Sequence, residues 1–190
     1  MNLFYRDLNI PPKINCTVEL LNSRFPIDQY TYLHKIFDDE NNIWLGEDFE
    51  SWLSSFDLIV KRIEIFHTES NRITGWHTDM NPPIDWVKIN WVFEKGISHM
   101  EWVDFDEIEN LKLKKTIAGT SYLRLEDENI NPVSRHRLVG PTLINAGKFH
   151  RIDNSKNTDR WCLSAIVWNQ TENRRVSWNE AIKLFKEYLR

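Results

Sequence analysis

At 190 residues the chain is long enough for one domain with a substantial core and too short for two ordinary ones. Its formal charge of −4 leaves no global basic footprint, which makes nucleic acid an unexpected partner. Two cysteines, Cys16 and Cys162, exclude a disulfide framework, and the absence of a signal core or a membrane-length apolar run predicts a cytoplasmic protein that does not enter a membrane.

The opening residues, with Pro11-Pro12, read as extended chain able to pair at a sheet edge. From Pro26, "PIDQYTYLHKIFDDE" places Ile27, Tyr30, Leu33 and Phe37 on one helical face, and "EDFESWLSSF" predicts a second helix burying Phe49, Trp52, Leu53 and Phe56. "DLIVKRIEIFH" alternates as a strand, and "TESNRITGWH" reads as a turn and a returning strand that ends at His77. "NPPID" then breaks regular structure. The strand "DWVKINWVF" puts Lys88 and Asn90 on one face, opposite Val87, Ile89 and Trp91. "SHMEWVDF" is a further strand and "DEIENLKLKK" a polar, partly helical or looped excursion. "TSYLRLE" and "PTLINAG" are strands joined by the polar loop "DENINPVSRHR", and Gly147 marks a tight turn or bulge before His150. "RWCLSAIVW" is a buried strand. In "SWNEAIKLFKEYLR", Ser177 and Glu180 form a capping box, with Trp178, Ile182, Phe185 and Leu189 on one face. Trp76, Trp86, Trp91 and Trp102 are expected in the core or lining a pocket. The predicted architecture is mainly β: a double-stranded β-helix (jelly roll, cupin-like) with flanking α-helices. It forms a single domain over 1–190, with helical support at 26–56, a β core at 58–168 and a C-terminal helix at 177–189.

Chemistry concentrates at "GWHTD", residues 75–79, and in "FHRIDNSKNTDR" from Phe149 to Arg160. His77 and Asp79 are two residues apart and share a face of an extended segment; with His150 from a distant strand they make up a two-histidine, one-carboxylate facial triad. Nitrogen and oxygen donors without thiolate suit iron(II). Arg160, aimed into an apolar interior, needs an anion, and its planar fork suits a carboxylate. Cys162 and Ser164 share its face, so that Ser164 can support the same carboxylate; Asn90 is a candidate contact to a metal ligand or to a molecule bound at the metal, or else faces outward with Lys88 as a polar pair. His99-Met100-Glu101 is a rival His-x-carboxylate pair.

At His77, Asp79, His150 and Arg160 the sequence resembles the iron(II)- and 2-oxoglutarate-dependent oxygenase superfamily, over residues 58–168. Its second half is similar to the aspartyl/asparaginyl hydroxylase branch, with His150, Asn154, Arg160 and Leu163 at matching positions; the first half carries a carboxylate that this branch lacks. The resemblance implies an Fe(II) centre held by His77, Asp79 and His150. Its cosubstrates are O2 and 2-oxoglutarate, whose far carboxylate pairs with Arg160. The implied reaction is hydroxylation of an aspartyl/asparaginyl, prolyl or other amino-acid side chain in a peptide or amino-acid substrate. A nucleobase, a cupin-like metal enzyme without 2-oxoglutarate and a non-catalytic jelly-roll binding module fit the same residues.

Overall fold

The computed structural model describes residues 2–25, 33–37, 41–79, 83–104, 111–115, 121–126, 130–156 and 158–190. Its larger sheet has the order β1-β10-β5-β12-β3-β2, with β13 against β12. These strands are β1 (Tyr5–Asp7), β2 (Leu33–Phe37), β3 (Leu58–Thr68), β5 (Val87–Glu94), β10 (Thr142–Asn145), β12 (Arg160–Asn169) and β13 (Arg174–Arg175). The facing sheet has the order β4-β11-β6-β9, from β4 (Arg72–Ile73), β6 (His99–Trp102), β9 (Ser134–His136) and β11 (His150–Asn154). A ribbon of β7 (Leu111–Lys115) and β8 (Ser121–Leu125) extends it. All the pairings are antiparallel, and the two sheets form the expected jelly roll.

Both faces of the large sheet are covered, which is why β12 reads as an almost continuous apolar run. Its Trp161, Leu163, Ala165 and Val167, with Val87, Ile89 and Trp91 of β5 and Ile63 and Ile65 of β3, pack under the helices. The helices are α1 (Val18–Arg24), α2 (Asn41–Trp44), α3 (Glu47–Ser54) and α4 (Trp178–Leu184). Phe49, Trp52 and Leu53 of α3 are buried as periodicity predicts, and the Ser177–Glu180 capping box starts α4. The opposite face of the sheet, with Glu64, Lys88, Asn90, Arg160, Cys162 and Ser164, looks into the space between the sheets. No helix among the described residues is long and apolar enough to cross a membrane.

Several local expectations change. The helix placed on Pro26–Glu40 is replaced over Leu33–Phe37 by edge strand β2, with Leu33 opposite Phe66 and Phe37 opposite Arg62; residues 26–32 and 38–40 lie outside the described residues. Its Tyr, Thr, Ile and Phe content is as compatible with a strand, and pairing with the long β3 decides between the two periods. "LKLKK" is strand β7, because β8 supplies its ladder, and "SRH" of the polar loop is strand β9 on β6. The supposed hairpin before His77 does not form: β4 pairs with β11, so the chain leaves the large sheet after β3 and crosses to the other one. The C-terminal helix is α-helical only to Leu184 and ends in a 3-10 turn at Lys186–Tyr188.

Candidate metal centre

Residues 72–79 run along β11 and deliver the first two site residues. Ile73 stands opposite Asp153 and His77 opposite His150. The near segment advances four residues while its partner advances three, so one extra residue is accommodated at Thr74–Trp76, the signature of a bulge. There Thr74 Oγ1 accepts from the Ile152 N–H at 2.8 Å. His77 and His150 then form a hydrogen-bonded antiparallel pair, each N–H 2.9 Å from the other's carbonyl. Thr78 N–H donates to Leu123 O of β8, and Asp79 N–H to Ala146 O in the β10–β11 turn. His77 is therefore the seam between β8 and β11, and Asp79 is held by a third stretch of backbone. The Ala146-Gly147 turn needs its glycine, since a Cβ at Gly147 would lie 2.2 Å from Ile84 O.

The side chains converge. Asp79 Oδ1 is 3.8 Å from His77 Nε2 and 3.4 Å from His150 Nε2, the two rings are 4.6 Å apart, and one donor atom from each residue lies within 4.8 Å of the others. Each ring is fixed through its other nitrogen: His77 Nδ1 donates to Gly75 O at 2.9 Å and His150 Nδ1 to Lys148 O at 2.8 Å. That leaves both Nε2 lone pairs facing the carboxylate, the tautomer a metal requires. The donor set thus fits a divalent metal bound on one face, and among the described residues it is the one such group.

Lys88 is the residue the sequence reading missed. Its Nζ is 2.9 Å from Asp79 Oδ2 and 2.6 Å from Glu64 Oε2, and Glu64 Oε1 is 2.9 Å from Arg62. Oδ2 is thereby occupied and Oδ1 presented to the imidazoles. Part of the signal was available: on β5, Lys88 is two residues from Asn90 and lies on the same face, so an interior place for Asn90 carries Lys88 inside with it. Burial disfavours the Asp79 carboxylate, but Lys88 and then His150 outweigh it and hold it well below the usual carboxylate range. Lys88 is raised despite its burial, by Asp79 and then Glu64. Burial, and then the His150 ring, hold His77 down at about 4. Without metal, His77 should therefore cost the fold stability as pH falls from its ordinary 6.5 toward 4, because the unfolded chain takes up a proton there and the folded chain does not. Urea midpoints of metal-free protein across that window should fall less steeply in His77→Gln than in wild type; parallel slopes would disprove the assignment.

These groups line a cavity of about 510 Å³ between the sheets. Arg160 is buried on its wall, with Nε donating to Ser98 Oγ at 2.9 Å. Ser164 Oγ donates to Asn90 Oδ1 at 2.7 Å, so the Ser164 proton is committed and the Asn90 amide nitrogen is the donor that pair offers to the cavity. Arg160, Cys162, Ser164 and Asn90 share this interior, as alternation predicts. The rival pair does not join it: β6 turns His99 and Glu101 to the other face, where Glu101 pairs with Arg151 at 2.7 Å and His99 meets Arg135 at 3.2 Å. None of Trp76, Trp86, Trp91 and Trp102 lines the cavity; Trp76 and Trp102 are fully buried in core clusters. Asn154 ties the end of β11 to the chain after β3 and to the turn before β12, donating to Glu69 O at 2.7 Å and Thr158 O at 3.0 Å.

No protein-family model matches this chain, and no curated protein matches it in sequence. Among solved structures it is similar to oxalate oxidase in complex with the substrate analogue glycolate, at 11% identity and a TM-score of 0.36 over 78% of this chain and 55% of that one. A recombinant oxalate oxidase in complex with glycolate gives 11% and 0.36, over 77% and 54%. Vicilin from Corylus avellana (hazelnut) gives 15% and 0.35, over 80% and 33%. The chain spans about half the length of the oxalate oxidases and a third of that of the vicilin.

Proposed function

We propose that this chain is an Fe(II)- and 2-oxoglutarate-dependent dioxygenase that hydroxylates a C–H bond, with an amino-acid side chain, free or within a peptide, as substrate. The observation that carries the reading is one cavity holding both the His77–Asp79–His150 cluster and the buried Arg160 guanidinium. Two neutral imidazoles and one carboxylate occupy a single face of an octahedral ion and leave the remaining positions to exchangeable ligands. With iron(II) bound there, 2-oxoglutarate and O2 are converted to succinate and carbon dioxide, one oxygen atom entering succinate and the other the hydroxylated product.

The protein's own part is to hold, orient and exclude. His77 Nε2, His150 Nε2 and Asp79 Oδ1 hold the ion. Lys88 keeps Asp79 Oδ2 engaged, so that the carboxylate offers one oxygen. Arg160 pairs with the far carboxylate of 2-oxoglutarate, and Asn90, oriented by Ser164, donates alongside it. Met100, Ile144 and Ile152 line the same cavity and reduce the water reaching the reacting centre.

Arg160→Met should leave ferrous binding intact and raise the 2-oxoglutarate concentration for half-saturation by about 10- to 100-fold, the size of one hydrogen-bonded charge pair. The measurement is the visible charge-transfer band of the ferrous cosubstrate complex, recorded without oxygen. A wild-type band with unchanged cosubstrate demand in Arg160→Met would move the arginine out of this role; no band in iron-replete wild type would leave a cupin-like metal protein that does not use 2-oxoglutarate.

A further inference from the structure

Beyond Lys88 the inward face of the large sheet carries a second group of charges, whose members do not line the cavity. Trp86 enters β5 two residues before Lys88, and the Arg175 guanidinium of β13 stacks over its ring at 4.7 Å. Arg62 stands two residues before Glu64 on β3, in register with Ile166 of β12, and holds Glu64 Oε1 through a terminal nitrogen at 2.9 Å. Glu64 Oε2 meets Lys88 at 2.6 Å and Lys88 meets Asp79 at 2.9 Å, so charge alternates in one row from Arg62 to the metal-site carboxylate. Arg175 and Trp86 are half-buried and the Arg62 side chain is 22% exposed, which leaves the outer end of the row within reach of solvent.

The group is unbalanced by one positive charge. Arg62, Arg175 and Lys88 face two carboxylates, Glu64 and Asp79, and the surplus falls on Arg175. Arg62 is committed to Glu64 and Lys88 to both carboxylates, whereas among the described residues the Arg175 guanidinium meets the Trp86 ring and no carboxylate. Stacking occupies the face of a guanidinium and not its edge, where the N–H donors lie. Arg62 keeps an unanswered donor too, because its Nε is buried without a hydrogen-bond partner. Burial, and then the Arg62 charge, lower Arg175 from the usual guanidinium value, so the two cations lie within each other's field.

We propose that Arg175, with Arg62 beside it, binds the carboxylate of a small organic acid at a site separate from the cavity, and that its occupation strengthens metal binding at Asp79. One added negative charge matches the surplus of one, and a planar carboxylate matches the planar fork, whereas a phosphate dianion exceeds the surplus. The sign of the coupling follows from the row. A carboxylate on the arginines takes up part of the Arg62 charge, Glu64 then draws Lys88 toward itself, and Asp79 is left with less ammonium and more need of a cation. The added negative charge attracts a divalent ion in the same direction. Linkage makes the effect mutual, so metal strengthens carboxylate binding by the same factor. The anion site stands without the oxygenase reading; the coupling rests on the metal reading of His77, Asp79 and His150.

The test uses the full chain carrying Arg160→Met, which takes the cavity's own guanidinium out of the count. On metal-free protein, fluorine NMR line widths report binding of 4-fluorobenzoate, with 4-fluorobenzamide as the neutral counterpart and 4-fluorophenyl phosphate as the phosphate arm. The benzoate should bind about 10-fold more tightly than the amide, the size of one charge-assisted pair. Adding Arg175→Met should reduce that preference below about 3-fold, and adding Arg175→Lys should retain part of it. Manganese(II) affinity is then read from the electron spin resonance of the free ion at constant ionic strength. Saturating 4-fluorobenzoate should raise it about 5-fold in Arg160→Met and leave it unchanged once Arg175→Met is added. Equal binding of benzoate and amide, tightest binding of the phosphate, or a preference that survives Arg175→Met would each overturn the anion site. A manganese affinity that does not respond to benzoate, or responds equally without Arg175, would overturn the coupling. The two readings fail differently: an Arg175-dependent preference without manganese binding sinks the metal centre, and normal manganese binding without the preference sinks the carboxylate site.

Discussion

His150→Ala should fold and yet bind ferrous iron at least about 100-fold more weakly, with loss of the 2-oxoglutarate charge-transfer band. Removing a group that only orients a metal-bound histidine already costs about 10- to 100-fold in affinity, and in the proposed centre His150 supplies one of three donors directly. Folding should survive because the His77–His150 pairing runs through backbone hydrogen bonds that alanine retains, and because the ring faces the cavity beside Asp79 and not the apolar core under the helices. His99→Ala is the matched control. It removes an imidazole from the facing sheet, on the side where His99 meets Arg135, and should leave the band unchanged. A band that persists in His150→Ala, or disappears in His99→Ala, would return the metal to the rival motif.

The sequence was most legible where one physical constraint acts alone. His77, Asp79 and His150 could be read as one group because their donor types are few and their spacing is strict, and the Arg160-Cys162-Ser164 face followed from period-two alternation along a strand buried on both sides. The route by which His77 reaches the site was not legible. A hairpin and a crossover begin with the same β-branched run, and nothing in "TESNRITG" states that Arg72 and Ile73 pair with a strand some 80 positions later. The bulge that re-aims His77 depends on that partner too. The same holds for Leu33–Phe37, whose strand state is decided by the edge of β3, and for "LKLKK", decided by β8. Lys88 was hidden for another reason: a lysine alternating with apolar residues has the pattern of a solvent-facing strand, and only the second sheet, which covers that face, turns it into a buried cation that needs anions. Tyr122 was passed over because its strand lacked any motif, and only the fold shows its ring set edge-on to His77 at 6.0 Å.

Lys88→Met should destabilise the metal-free protein by about 3–5 kcal/mol, the cost of removing one partner from a buried ion pair. Methionine fills much the same volume without charge, so the loss is mainly electrostatic. Glu64 keeps Arg62 at 2.9 Å, but Asp79 loses the ammonium 2.9 Å from Oδ2 and remains a nearly buried carboxylate. A divalent ion then becomes its principal counter-charge. Metal should therefore restore more stability to Lys88→Met than to wild type, because an ion that binds the native state stabilises it in proportion to how tightly it binds. The same change frees Oδ2, so on the proposed reading a carboxylate able to offer both oxygens would compete with 2-oxoglutarate for the metal; the variant should hold manganese(II) well and 2-oxoglutarate poorly. Urea midpoints with and without manganese(II), alongside the ferrous charge-transfer titration, read both effects. A metal-free midpoint equal to that of wild type would mean that Lys88 does not carry the Asp79 charge. Equal metal-induced gains in the two proteins would mean that ion and ammonium do not share the carboxylate. Destabilisation relieved by metal, together with a weakened cosubstrate complex, identifies Lys88 as the residue that restricts Asp79 to a single donor oxygen.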